Sequence, residues 1–266
     1  MATTHLDLHG ERLSLEALNS LVCQINERYL PIDVNHDIRK PIIGRLVSAE
    51  IVELPDGEYA VDGIGEVFEP SDAGASLAGD GRKILIKTDN VETFSVYYDR
   101  TFMNQEGKEL LQELEALSGR KPQPTIKKAL DPISLLLIGA GIFALGSTAT
   151  GFFSKLGEDL YDKLKKTLVD YYKNKASEDK IIDFRFSIEK GDRVFEIHVL
   201  LNSPTEQIIN DFFNNGLSKI DETLEFLYSE LAKDVARVVL EYKDNKLTFS
   251  YAVSSECVPI SFTKSD

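Results

Sequence analysis

The sequence predicts an α+β protein in two parts, and three observations carry that prediction. Apolar residues recur at helical spacing in some segments, such as Leu15, Leu18, Leu21, Val22 and Ile25, and at every second position in others, such as Ile182, Phe184, Phe186 and Ile188. Turn residues stand between paired alternating runs, as in Pro55-Asp56-Gly57. A basic stretch with two prolines, residues 119–131, separates the halves.

Along the first half, Ser14 is the expected N-cap of a helix running to about Ile25. Leu30 to His36 alternates as a strand. The runs 43–54 and 58–68 flank the Pro-Asp-Gly turn and read as a hairpin. Polar residues 69–82 read as a loop, 84–87 and 91–98 as strands, and 106–117 as a helix. Residues 1–118 are therefore expected to form an antiparallel, β-rich domain with flanking helices, followed by the linker 119–131.

No charge occurs from Pro132 to Ser154. This run exceeds the roughly 20 residues that a helix needs to cross a bilayer, so 132–154 is expected to be a hydrophobic, Gly-rich helix. Two placements stand open, across a membrane as a helix, or inside a soluble core as a buried helix or Gly-rich hairpin. Its small residues Gly139, Gly141, Gly146 and Gly151 are the expected self-association contacts, since small residues let helices approach closely.

The last part, 155–266, opens with an amphipathic helix carrying Leu156, Leu160, Leu164 and Leu168. A hairpin follows around Gly191. Ser203-Pro204-Thr205-Glu206 has the form of a capping box, opening a helix expected to stop near Gly216. A second helix through Leu217, Ile220, Leu224, Leu227 and Leu231 precedes a final hairpin across residues 243–246. The order is α-ββ-αα-ββ.

The net charge of −14 argues against a nucleic-acid partner. The acid excess holds in both halves, with 14 basic against 23 acidic side chains in residues 1–131. Two distant cysteines, Cys23 and Cys257, fit a reducing compartment, and the polar N-terminus reads as neither signal nor transit peptide. A cytoplasmic protein is expected, associated with the inner membrane if the uncharged segment enters it. The four histidines lack metal-ligand spacing apart from His5 and His9 around Asp7, which reads as easily as a terminus. Gly63-Ile64-Gly65 and Gly79-Asp80-Gly81 precede no helix start, so no dinucleotide cofactor is expected.

The densest polar motif is Asn35-His36-Asp37-Ile38-Arg39-Lys40-Pro41-Ile42-Ile43-Gly44-Arg45. Together with LDLHGERLSLEALNSLVCQIN before it and ELPDGEYAVDGIGEVFE after it, it makes residues 4–69 resemble the N-terminal portion of phage prohead proteases and related bacterial proteins. The resemblance implies a small β-barrel-like fold with a His-Ser pair. On it, His36 would be the catalytic histidine and Ser95, within Thr93-Phe94-Ser95-Val96-Tyr97, the nucleophile; no Gly follows Ser95, and no third group to orient the histidine is evident. The reading that follows is a membrane-associated, self-assembling effector or interaction protein of a bacterium or prophage, homo-oligomeric, with a sensing or binding N-terminal domain. A serine endopeptidase using His36 and Ser95 is the alternative, and a soluble oligomeric adaptor the third.

Overall fold

A computed structural model describes residues 2–6, 12–34, 37–69, 79–86, 94–125, 134–144, 157–173, 180–191, 193–230 and 234–260. The fold is α+β, as expected, and divides into two units. The first comprises residues 1–34, 40–85 and 253–266; the second comprises 35–39 and 86–252.

In the first unit, helix α1 (Leu15–Glu27) begins at Ser14, whose hydroxyl accepts from the Ala17 N–H. Strands β1 (Leu30–Ile32), β2 (Gly44–Glu53) and β3 (Tyr59–Val67) form an antiparallel sheet in the order β1-β2-β3. The hairpin closes as expected, with Gly57 at φ +82°, a conformation most side chains resist. Leu18, Ile25 and Val61 pack together under Leu46, Ile51 and Tyr59. Thus the apolar stripe of α1 buries against one face of β2 and β3. The strand expected over 30–36 is shorter, and residues 84–86 are not a strand; there the Ile84 N–H donates to Ser255.

The second unit holds a mixed sheet. Its strands are β4 (Phe94–Tyr98), β5 (Gln123–Pro124), β6 (Ser134–Ala144), β7 (Lys180–Lys190), β8 (Arg193–Asn202), β9 (Val235–Lys243) and β10 (Lys246–Ser254), the last of which runs on into the first unit. Their spatial order is β10-β9-β8-β7-β6-β4-β5. After β10, the short strand β11 (Pro259–Ile260) lies in the first unit. Helices α2 (Gln105–Ser118), α3 (Glu158–Tyr172), α4 (Glu206–Asp211) and α5 (Leu217–Glu230) complete the fold. Strand β4 and helix α2, expected in an N-terminal domain ending at 118, belong to this second unit.

The uncharged segment requires a correction. Residues 134–144 are not a helix; they form β6, antiparallel to β4 and parallel to β7. Flanked on both sides, the strand satisfies its backbone groups within the sheet. Leu135, Leu136, Leu137 and Ile138 are buried, as a strand enclosed on both faces demands. About ten uncharged residues remain beyond it, half the length of a bilayer-crossing helix, and they lie outside the described residues. Among the described residues no helix is long and apolar enough to cross a membrane.

Among the described residues three parallel crossovers build the sheet. One passes from β4 through α2 to β5, another from β6 through α3 to β7, and the third from β8 through α4 and α5 to β9. The α-ββ-αα-ββ order is as expected, with two local differences. The cap of α4 is Thr205, which accepts from Ile208, rather than Ser203, whose φ of 48° bends the chain before it. The helix does not stop at Gly216 but passes through a π-turn, Phe212–Gly216, into α5. That turn presents Phe212 and Phe213 to the sheet, where Phe184 lies 4.9 Å and 5.8 Å from their ring centres. Tyr242 of β9 and Tyr161 of α3 join the same cluster, so the helices cover the Phe184 face. The final hairpin turns on Asp244 and Asn245, both at positive φ, the two-residue turn whose twist suits adjoining strands.

Candidate functional site

Side chains alternate across a strand. Because Phe184, Phe186, Ile197 and Val199 face the helices, Asp183, Arg185, Glu196 and His198 occupy the opposite face. Register then brings them together: Arg185 pairs with His198 between β7 and β8, and Glu196 with Arg237 between β8 and β9. Asp183 and His198 are sealed from solvent at 0 % exposure, and Glu196 is 6 % exposed.

These groups form a continuous chain, with arginine–carboxylate ion pairs at either end and His198 between them. Arg185 Nε donates to Asp183 Oδ2 at 2.8 Å, and His198 Nδ1 lies 3.2 Å from the same oxygen. His198 Nε2 lies 3.5 Å from Glu196 Oε2, which also accepts from Arg237 Nε and Nη2 at 3.1 and 3.0 Å. Burial alone would raise both carboxyls; the Arg185 charge and the His198 contacts hold Asp183 well below the ordinary carboxylate range instead. Burial likewise opposes the Glu196 charge, but His198 and Arg237 bring that carboxyl down to about 2. Both are anions at neutral pH. The other oxygen of Asp183, Oδ1, is buried and has no hydrogen-bond partner among the described residues. Chemically this chain of paired groups can hold three strands in register.

The sequence-predicted residues are placed as follows. Ser95 lies on β4 opposite Gly139 of β6, and its hydroxyl donates to the Gly139 carbonyl at 3.4 Å. His36 lies outside the described residues. Its neighbour Asp37 is buried and binds Arg39 through Nε at 2.8 Å and Nη2 at 3.0 Å, while Tyr251 donates to the Ile38 carbonyl at 2.9 Å. Gly139 and Gly141 sit inside β6, not on a helix face as expected for self-association; Gly146 and Gly151 lie outside the described residues. Gly139 is small for a local reason, since a Cβ there would come within 2.8 Å of Ser95 Oγ. Among the described residues no group of His, Cys, Asp and Glu is arranged to hold a metal ion.

In the first unit, Arg45 is buried at 2 % exposure with its guanidinium 4.2 Å from the Tyr29 ring centre. It donates to Glu66 at 2.8 Å and to the Glu256 carbonyl at 2.6 Å. Arg82 lies 4.7 Å from the same ring. Tyr29 in turn donates to Asp80 at 2.9 Å, and Arg82 forms an ion pair with that carboxylate. Arg39 and Arg45, both in the sequence motif, thus pair within their own units, Arg39 with Asp37 and Arg45 with Glu66 and the Glu256 carbonyl.

Sequence reasoning found the motif around His36 but missed the Asp183–His198–Glu196 chain. The signal was present as polar residues alternating with apolar ones on β7 and β8, a pattern that ordinarily marks a solvated face. Only the register shows that these polar residues meet one another. Comparison with family models, with curated proteins and with solved structures finds no match.

Proposed function

We propose that this chain is a non-catalytic interaction protein, with the first unit as its binding module and the mixed sheet of the second as a rigid body for assembly. One observation carries the reading: among the described residues, the polar side chains considered for chemistry are engaged in contacts that hold backbone and strands. Ser95 bonds within the β4–β6 pair, Asp37 binds Arg39, and Asp183 and Glu196 neutralise Arg185 and Arg237. A nucleophilic serine needs an oriented base and oxyanion donors, and no such set occurs among the described residues. The resemblance of residues 4–69 to prohead proteases is then one of scaffold, retained for binding in a bacterial or prophage effector. Use of 134–144 as a strand favours the adaptor form of this reading over a membrane-spanning one.

The test joins two measurements on the full chain. A fluorophosphonate probe should leave the protein unlabelled, and sedimentation velocity should give a homo-oligomer in buffer without detergent. Labelling that disappears in Ser95→Ala would replace this reading with the serine endopeptidase one. A strictly monomeric species would remove assembly from it.

A further inference from the structure

We infer that the outer edge of β3, from Asp62 to Val67, is a docking edge for an extended, lysine- or arginine-bearing segment of a partner protein, which joins the first unit's sheet as an added strand. The inference rests on the reading of that unit as a binding module and names the surface it would use. Strand β3 pairs with β2 on one side only. Its other edge is occupied at the start: the Val61 N–H donates to Ala2, and the Tyr59 carbonyl accepts from Thr4. The outward groups of an antiparallel strand recur at every second residue, so Gly63, Gly65 and Val67 present theirs on the same edge. Among the described residues nothing pairs with them.

The side chains there mark the edge as a recognition surface. Ile64 is 66 % exposed and Val67 68 % exposed. Asp62 stands directly opposite Glu50 of β2, a cross-strand arrangement that costs stability because the charges are alike. Among the described residues neither carboxylate meets a cation. A bare edge with exposed apolar residues invites strand addition, and its charge decides what is added. Nine acidic side chains and no basic one occur between Leu46 and Gly81. A cation on the incoming strand, set beside Asp62, would relieve the Asp62–Glu50 repulsion, and an apolar residue two positions along would cover Ile64.

A second copy of β3 fits less well. The antiparallel register that sets the two Ile64 side chains together places Asp62 of each copy opposite Glu66 of the other. Like charges would then face one another twice.

The test uses the full chain and the peptide acetyl-Thr-Lys-Thr-Val-Thr-Lys-Thr-amide, whose Val and two Lys share one face as Ile64, Asp62 and Glu66 do, with amide hydrogen exchange read residue by residue. Saturating peptide should slow exchange at Gly63, Gly65 and Val67 by at least about tenfold. The effect should be lost in Asp62→Lys and with the same peptide N-methylated at alternate backbone nitrogens. No slowing at millimolar peptide overturns the inference. Equal slowing with the N-methylated peptide overturns it too, because attraction would then be by charge without strand pairing. Slowing that grows with protein concentration in the absence of peptide assigns the edge to a second copy instead. Protection elsewhere in the first unit rejects the edge while leaving the binding-module reading intact.

Discussion

His198 Nδ1 lies 3.2 Å from Asp183 Oδ2, on neighbouring strands and out of reach of solvent. A buried carboxylate without a partner is costly, and here the partners come from both β7 and β8. Breaking one member should therefore cost more than the pair contributes relative to an apolar substitute. Asp183→Ala removes the carboxylate that Arg185 Nε donates to and that His198 Nδ1 faces, and urea unfolding should show a loss of about 3–5 kcal/mol. The triple change Asp183→Leu, Arg185→Met, His198→Leu should lose less than Asp183→Ala alone. A greater loss would mean that the chain is stabilising beyond its own desolvation.

Acid should weaken the fold in a defined window. The Glu196 carboxyl lies at about 2 in the folded chain against an ordinary 4.5. A carboxyl lowered by folding adds stability that is fully present above its ordinary value and is lost as pH falls through its folded value. Asp183 is shifted in the same direction. Urea midpoints should thus be nearly flat in this contribution above about pH 5 and fall between about 4.5 and 2. Glu196→Gln should be less stable at neutral pH, with a shallower decline in acid; an unchanged decline would refute the assignment.

Gly139 separates two explanations of one residue. As a self-association contact, Gly139→Leu would lower the oligomer state while leaving the fold intact. In the sheet, an added Cβ meets Ser95 Oγ at 2.8 Å, so the cost appears in folding. Gly139→Ala should lose about 1–3 kcal/mol through overpacking, and Ser95→Gly in the same chain should restore part of it. Thermal melting of the two single variants and the double variant checks this.

Arg45 should matter far more than the glutamate it pairs with. Its guanidinium is 2 % exposed and reaches Glu66, the Glu256 carbonyl and the Tyr29 ring, whereas the Glu66 side chain is 40 % exposed. Water can replace Arg45 beside the exposed Glu66 carboxylate, whereas losing the buried guanidinium also removes the donor to the Glu256 carbonyl and the cation over the Tyr29 ring. Arg45→Met should cost about 2–4 kcal/mol, and Glu66→Gln below about 1 kcal/mol, by denaturant unfolding of the full chain. Similar losses for both would show that the surface pair, not the buried fork, holds β2.

Local patterns in the chain determined much of this protein. Ser14 capped α1, Gly57 closed the β2–β3 hairpin, and alternation about Phe184 and Ile197 marked β7 and β8, because each depends on neighbours in sequence. Tertiary structure decided three further matters. The uncharged run 134–144 suits a helix or an enclosed strand equally by composition, and only β4 and β7 on either side made it a strand by satisfying its backbone. Strand β4 and helix α2 joined the second unit because β4 pairs with β6, a contact some 40 residues away in sequence that no local pattern encodes. The polar alternation on β7 and β8 looked like a wet face; the register that sets Arg185 against His198 made it a buried chain of charges, since ion pairs could then replace water.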